Sequence, residues 1–423
     1  MNVKIAFGKQ GLSLELPEGP RYHVVTVHSA PPLPDVEKAL AAALDTPVAG
    51  LPLMELARGK KTAAISVCDI TRPAPNPITL PPVLERLRRA GIPPENVTIC
   101  VATGLHRRAT EDELRTILGA KIAATYEVAN HDARDRELHR FLGTTQQGTP
   151  VYIDERFMAT DLHITLGFIE QHLMLGFSGG RKLVAPGLAA QETIKVIHSP
   201  RFMREQHATE GSIRDNPLHA ELLEVAHMAR HDFMLDVTLT KEREISGVFA
   251  GEPVAAHAAG VDFLRNSSVE YLPERVDAVI TSGAGYPLDL TFYQAIKGVT
   301  AAQHILKPGG KILMLAECKE GAGSPEVAKM VREYLGAQPF LDAIEHAPVE
   351  IDQWQLEKLA LVGLKHDVLF YTPGIAHEDL GALRSHAYDS APAAVAALLS
   401  RLPKNSRVAV IPDGPYAFAR VQE

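Results

Sequence analysis

Residues 62 to 110 read TAAISVCDITRPAPNPITLPPVLERLRRAGIPPENVTICVATGLHRRAT, and this stretch decides the fold. TAAISV (62–67) is a continuous apolar-leaning run, which suits a strand buried on both faces of a parallel sheet. PPVLERLRRAG (81–91) reads as a helix, with proline near its start and glycine just past its end. VTICVATG (97–104) is the next strand. Thr110 with Glu113 then forms a capping box that opens the helix TEDELRTILG. Strand, helix, strand and helix in that order define a parallel α/β layer.

The pattern continues outward. HITLGFI (163–169) reads as a third strand, ETIKVIHS (192–199) as a short helix, and NPLHAELLEVAHMAR (216–230) has a helical period. The charged SSVEYLPERVD (267–277) reads as a linker. Beyond it lies a second set: strand DAVITSG, helices LTFYQAIKG and AAQHILKPGG, strand KILMLAE, a helix around MVREYLG, and strands DVLFYTP and RVAVIPD. The expectation is α/β architecture in two domains with mostly parallel sheets, an N-terminal domain over 1–268 and a C-terminal domain over 269–423. A ligand is expected in the cleft between them.

Bulk properties bound the function. The 423 residues exceed one ordinary core, and 46% hydrophobic with 22% charged residues is an ordinary globular balance. A net charge of -8 argues against nucleic-acid binding. The three cysteines, Cys68, Cys100 and Cys318, are odd in number and widely spaced, so they give neither a disulfide framework nor a cysteine metal site. The start MNVKIAFGKQ lacks the apolar core of a signal peptide, and no run is long enough to span a bilayer. No membrane association and a reducing, cytoplasmic setting are therefore expected, with a homodimer as the base expectation for a soluble assembly.

Three polar clusters follow directly on predicted strands: Asp69 and Arg72 in DITRP, His106 in ATGLHR, and His172 in IEQH. Ligands of open parallel sheets bind at the carboxyl ends of strands, and right-handed crossovers bring those ends to one edge. Each cluster alone has a plain structural reading, an ion pair or a satisfied histidine. Their repetition at one predicted edge favours a site. The planar fork of Arg72 suits a substrate carboxylate.

QHLMLGFSGGRKLVAPG (171–187) resembles a phosphate loop, but Lys182 is followed by Leu183 and not by the serine or threonine that would hold magnesium. What remains is a glycine loop (Ser178, Gly179, Gly180) that a ligand can approach closely. It is followed by Lys182, either a nucleophile beside a second cation or an ordinary anion contact. No G-x-G-x-x-G fingerprint and no H-E-x-x-H motif supports a dehydrogenase or a zinc hydrolase.

Taken together, DITRP, ATGLHR, IEQHLMLGFSGGRKLVAPG, ETIKVIHS, YPLDLTFYQAIKG and DQWQ, in this order, resemble the lactate racemase family that uses a nickel-pincer nucleotide. That cofactor is a pyridinium-3-thioamide-5-thiocarboxylic acid mononucleotide. The resemblance implies that Lys182 bonds covalently to it and that His198 supplies a nickel ligand. Asp69, Ser178, Gly179 and Gly180 would line it. His106 and His172 would be the acid/base pair, and Arg72, Tyr293, Gln294, Lys297 and Trp354 would contact the substrate. The implied reaction inverts a small 2-hydroxy acid by reversible hydride transfer through a 2-keto acid, with cofactor-biosynthesis proteins as loading partners. Gln171, Met174, Leu175 and Arg108 depart from the family pattern. Arg108 beside His106 could meet a second carboxylate, which favours malate over lactate. The alternative is a nucleotide-binding protein without racemase activity.

Overall fold

The computed structural model describes residues 1–422, in two compact units. One comprises 29–197 with 205–267. The other comprises 1–28, 198–204 and, among the described residues, 268–422.

The first unit is built on a six-stranded sheet in the order Ile245–Gly251, Phe233–Leu239, Leu162–Phe168, Ala63–Cys68, Val97–Ala102, Glu127–Asn130. All neighbours are parallel except the first pair, which is antiparallel. Every residue of Ala63–Cys68 and of Leu162–Phe168 is buried, as continuous apolar runs require of strands covered on both faces. The capping box is present, with the Glu113 N–H donating to Thr110 Oγ1 and the Thr110 N–H to Glu113 Oε2. The helix expected over 81–91 begins earlier, at Asn76, and encloses Pro81 and Pro82. Pro77 falls in its first turn, where a missing N–H costs nothing, and the Ile78 and Thr79 N–H groups bond back to Pro75.

The second unit carries five parallel strands in the order Asp367–Tyr371, Leu306–Leu315, Val276–Ser282, Arg407–Ile411, Arg21–Val24. Two expectations are corrected here. The supposed linker contains the strand Val269–Leu272, paired in parallel with Phe418–Val421. AAQHILKPGG is not a separate helix: the helix Phe292–Ala302 ends in a short turn, and Leu306–Leu315 is one strand. Lys307, Pro308 and Gly309 are exposed and the pairing shifts register beside them, so this half of the strand carries no apolar alternation to read.

Candidate active site

In the first unit the parallel arrangement sends the ends of Ala63–Cys68, Val97–Ala102 and Leu162–Phe168 to one edge, where DITR, TGLH and IEQH follow. Asp69 is 6% exposed. Its Oδ2 lies 2.8 Å from His106 Nδ1, and its Oδ1 accepts the Thr71 hydroxyl at 2.7 Å. Burial pushes the Asp69 carboxyl up, but the His106 bond, the charges of His106 and Arg72 and the Thr71 bond outweigh it and hold the group below the usual carboxylate range. With Nδ1–H committed to Asp69, the lone pair of the neutral His106 ring is on Nε2. Asp69 thus orients the histidine.

His172 sits in a short hairpin, Gln171–His172 against Gly176–Phe177. Its Nδ1 faces the N–H groups of Met174 and Leu175 at 3.5 and 3.4 Å. Both are donors, so the neutral ring carries its proton on Nε2, opposite to His106.

Cys68, the last residue of the central strand, senses the whole group. Burial first, then the carboxylates of Asp69 and Asp236, pushes its thiol up to about 12, while Arg72 and Lys182 pull it back. Asp69, Arg72 and Lys182, chosen from different stretches of sequence, are therefore within electrostatic reach of one strand end.

The glycine loop has internal uses. Ser178 is buried: its hydroxyl donates to Phe168 O and accepts the Glu170 N–H, both at 2.9 Å. The Gly180 N–H donates to Asp236 Oδ2 at 2.7 Å. A Cβ on Gly179 (φ +87) would fall 2.2 Å from the same oxygen. The buried carboxylate by itself requires glycine at this position. Arg181, the second cation beside Lys182, points inward and is 2% exposed. Sequence reading missed Asp236 and Arg181 as a buried pair, although a charged residue inside FMLDVTL (233–239) was a signal. The extra arginines are likewise occupied. Arg107 pairs with Glu113, and Arg108 Nε lies 3.2 Å from Asp132.

The remaining candidates belong to the other unit. His198 follows the helix Gln191–Ile197, is 9% exposed, and its ring lies 4.3 Å from that of Trp354. Trp354 Nε1–H donates to Tyr293 Oη at 3.0 Å. Tyr293, Gln294 and Lys297 lie on the helix Phe292–Ala302, which Thr291 caps through the Gln294 N–H. Gln294 Oε1 is buried with no hydrogen-bond partner, an acceptor left for a donor from elsewhere.

Comparison with known proteins agrees with this layout. Models of the lactate racemase N-terminal and C-terminal domains match residues 7–211 and 272–417. The lactate racemase of Thermoanaerobacterium thermosaccharolyticum is 32% identical over 428 residues, 99% of each chain. That of Lactiplantibacillus plantarum is 34% identical over 382 residues, 89% of each. The solved structure of the T. thermosaccharolyticum lactate racemase apoprotein superposes with a TM-score of 0.88 at 30% identity, covering 100% of both chains. A Thermotoga maritima protein shares the fold at 19% identity with a TM-score of 0.69, covering 93% of this chain and 100% of its own. By class, then, the protein is an isomerase that racemises its substrate. The chain belongs to the lactate racemase family.

Proposed function

We propose that this protein inverts the carbinol carbon of a small 2-hydroxy monocarboxylate, lactate in the first instance, with a nickel-pincer nucleotide bonded at Lys182 and ligated by His198. The observation that carries the reading is the Asp69–His106 pair beside a strand end that Arg72 and Lys182 both reach. The full-length relatives named lactate racemase support the substrate class.

The residues fit such a cofactor. Among the described residues no group of three or more His, Cys, Asp or Glu is placed to hold a metal. His198 would hold the nickel, and imidazole is a suitable donor for nickel(II). When bound, the group supplies a reversible two-electron acceptor for the carbon centre, and cofactor-biosynthesis proteins would load it.

The chain's own residues do the rest. Arg72 binds the carboxylate through its fork. His106 Nε2 takes the hydroxyl proton, and the Asp69 carboxylate stabilises the imidazolium that results. His172, entering as the imidazolium, would return a proton when the planar keto acid is reduced on its other face and be left neutral, and for the mirror-image substrate the two rings exchange roles. Gln294 and Lys297 offer an acceptor and a cation to the substrate's polar groups.

The test is chiral analysis of single enantiomers of lactate and malate incubated with cofactor-loaded protein, with intact mass of wild type and Lys182→Ala. Inversion of lactate, with an adduct absent from the variant, is expected. An adduct without inversion of either acid would move the substrate to larger hydroxy acids. No adduct and no nickel would sink the reading.

A further inference from the structure

We propose that Asp236 and Arg181 are positioning residues: a pair of opposite charges, buried under the glycine loop, that fixes how His172 and Lys182 are presented. The inference rests on the function just proposed for those two residues.

The loop between His172 and Lys182 is held from inside at nearly every step. Arg181 donates from Nη2 to the carbonyls of Leu175 (3.1 Å) and Phe177 (2.9 Å) and from Nη1 to that of Gly179 (3.2 Å). Asp236, fully buried on Phe233–Leu239, takes the Gly180 N–H. It faces Gly167 across the parallel register, and a Cβ on Gly167 would fall 3.0 Å from its Oδ1. Two glycines on different segments thus leave a notch the size of one carboxylate. Past Lys182 the chain is pinned again: the Leu183 side chain enters the core, and its carbonyl accepts the Ser66 hydroxyl at 2.7 Å. Lys182 lies between two inward-turned neighbours, so its direction is set by the buried groups on either side.

The charges around the pair are few. Arg181 Nη1 lies 2.8 Å from His257 Nε2, and His219 stacks near His257. Burial holds both rings neutral, and the Arg181 charge adds to the effect. The thiol of Cys68 is the other titratable neighbour. Burial pushes Asp236 up to about 7 against the Gly180 bond and the Arg181 charge, so the carboxylate that complements Arg181 forms across neutral pH. An isolated buried arginine is costly, and the loop is expected to loosen when Asp236 is neutral.

The test uses Asp236→Asn, which keeps an acceptor for Gly180, and Asp236→Ala, which removes it. Two readouts are taken from pH 6 to 8: occupancy of the Lys182 adduct after loading, and the rate at which acetic anhydride acylates Lys182 in unloaded protein, relative to the exposed Lys121. Wild type is expected to show adduct occupancy rising with pH. Asp236→Asn should fold with a lowered thermal midpoint and lose that rise, and Asp236→Ala should fall at least tenfold in occupancy. Both variants should shift the Lys182 acylation ratio severalfold. A wild type without adduct would fail the cofactor reading, while the acylation ratio would still decide the positioning role. Wild-type values for both readouts in both folded variants would overturn the inference.

Discussion

At the scale of single residues, the most informative contact is His106 Nδ1 to Asp69 Oδ2. Asp69→Asn keeps the shape but no longer fixes the tautomer or stabilises the imidazolium, so activity should fall roughly a hundredfold or more, the range of a general base. The two enantiomers of a 2-hydroxy acid have equal free energy in solution, so kcat/KM must fall by the same factor in both directions. The variant's signature is therefore an unequal split between kcat and KM for the two enantiomers, and equal splits would argue against distinct roles for His106 and His172. The same carboxylate has a stability signature. Its pKa is held down in the folded state, so its contribution is present above the usual carboxylate range and is lost as pH falls below about 4. The gap in melting temperature between wild type and Asp69→Asn should close below that pH. His106, Asp69 and Arg72 were legible because each is a polar residue placed straight after an apolar run. Asp236 and Arg181 were not, because nothing in a sequence says that a charge points into the core and closes on a backbone.

Among the elements, the segment 198–204 shows how a candidate metal ligand is held within its unit. Lys358 Nζ, on the helix Gln353–Gly363, donates to Met203 O at 2.7 Å, and Arg204 Nε reaches Glu357 Oε1 on the same helix at 2.8 Å. Arg204 also pairs with Glu345. Glu357 is fully buried. Burial pushes its carboxyl up against the pull of Arg204, so the arginine is what makes a charge tolerable there. Arg204→Ala should cost about 3–5 kcal/mol, the typical penalty for stranding a buried charge. Arg204→Ala combined with Glu357→Gln should recover much of that, which chemical denaturation would measure. Recovery of stability without recovery of nickel binding would separate the anchoring of His198 from the bare packing of this segment. Neither anchor was visible in sequence, since Arg204 and Glu357 are far apart in the chain and each reads as a solvated charge. The strand–helix alternation was visible, because period and capping are local; Leu306–Leu315 was misread where exposed Lys-Pro-Gly imitates the end of a helix.

For the whole molecule, the two units differ in what acid does to them. His131, His219 and His231 are pushed down to about 3 by burial, and His257 well below its usual value. All four lie in the unit of 29–197 and 205–267. A histidine kept neutral in the fold but free to protonate when unfolded gives stability that is whole above about 6.5 and drains as pH falls toward 3, by about 1.4 kcal/mol per pH unit for each ring. Asp236 works the other way. Raised to about 7, it binds its proton in the fold before the unfolded chain does, so it adds stability as pH falls from 7 to about 4. One carboxylate offsets one ring. With His257, His139 and His163, all lowered by burial, set aside, two uncompensated histidines of the three near 3 remain, and this unit should lose at least about 3 kcal/mol per pH unit between about 6.5 and 4. Set against a total of about 5–15 kcal/mol, a stability in the lower part of that range is used up near pH 4 to 5. In the other unit burial lowers His366, and the chain's single tryptophan, Trp354, lies there. An acid titration followed by far-UV circular dichroism should therefore show a first loss of structure while Trp354 emission is still native. Coincident transitions would mean that the two units unfold as one cooperative body and that the buried histidines do not set the acid limit of one alone.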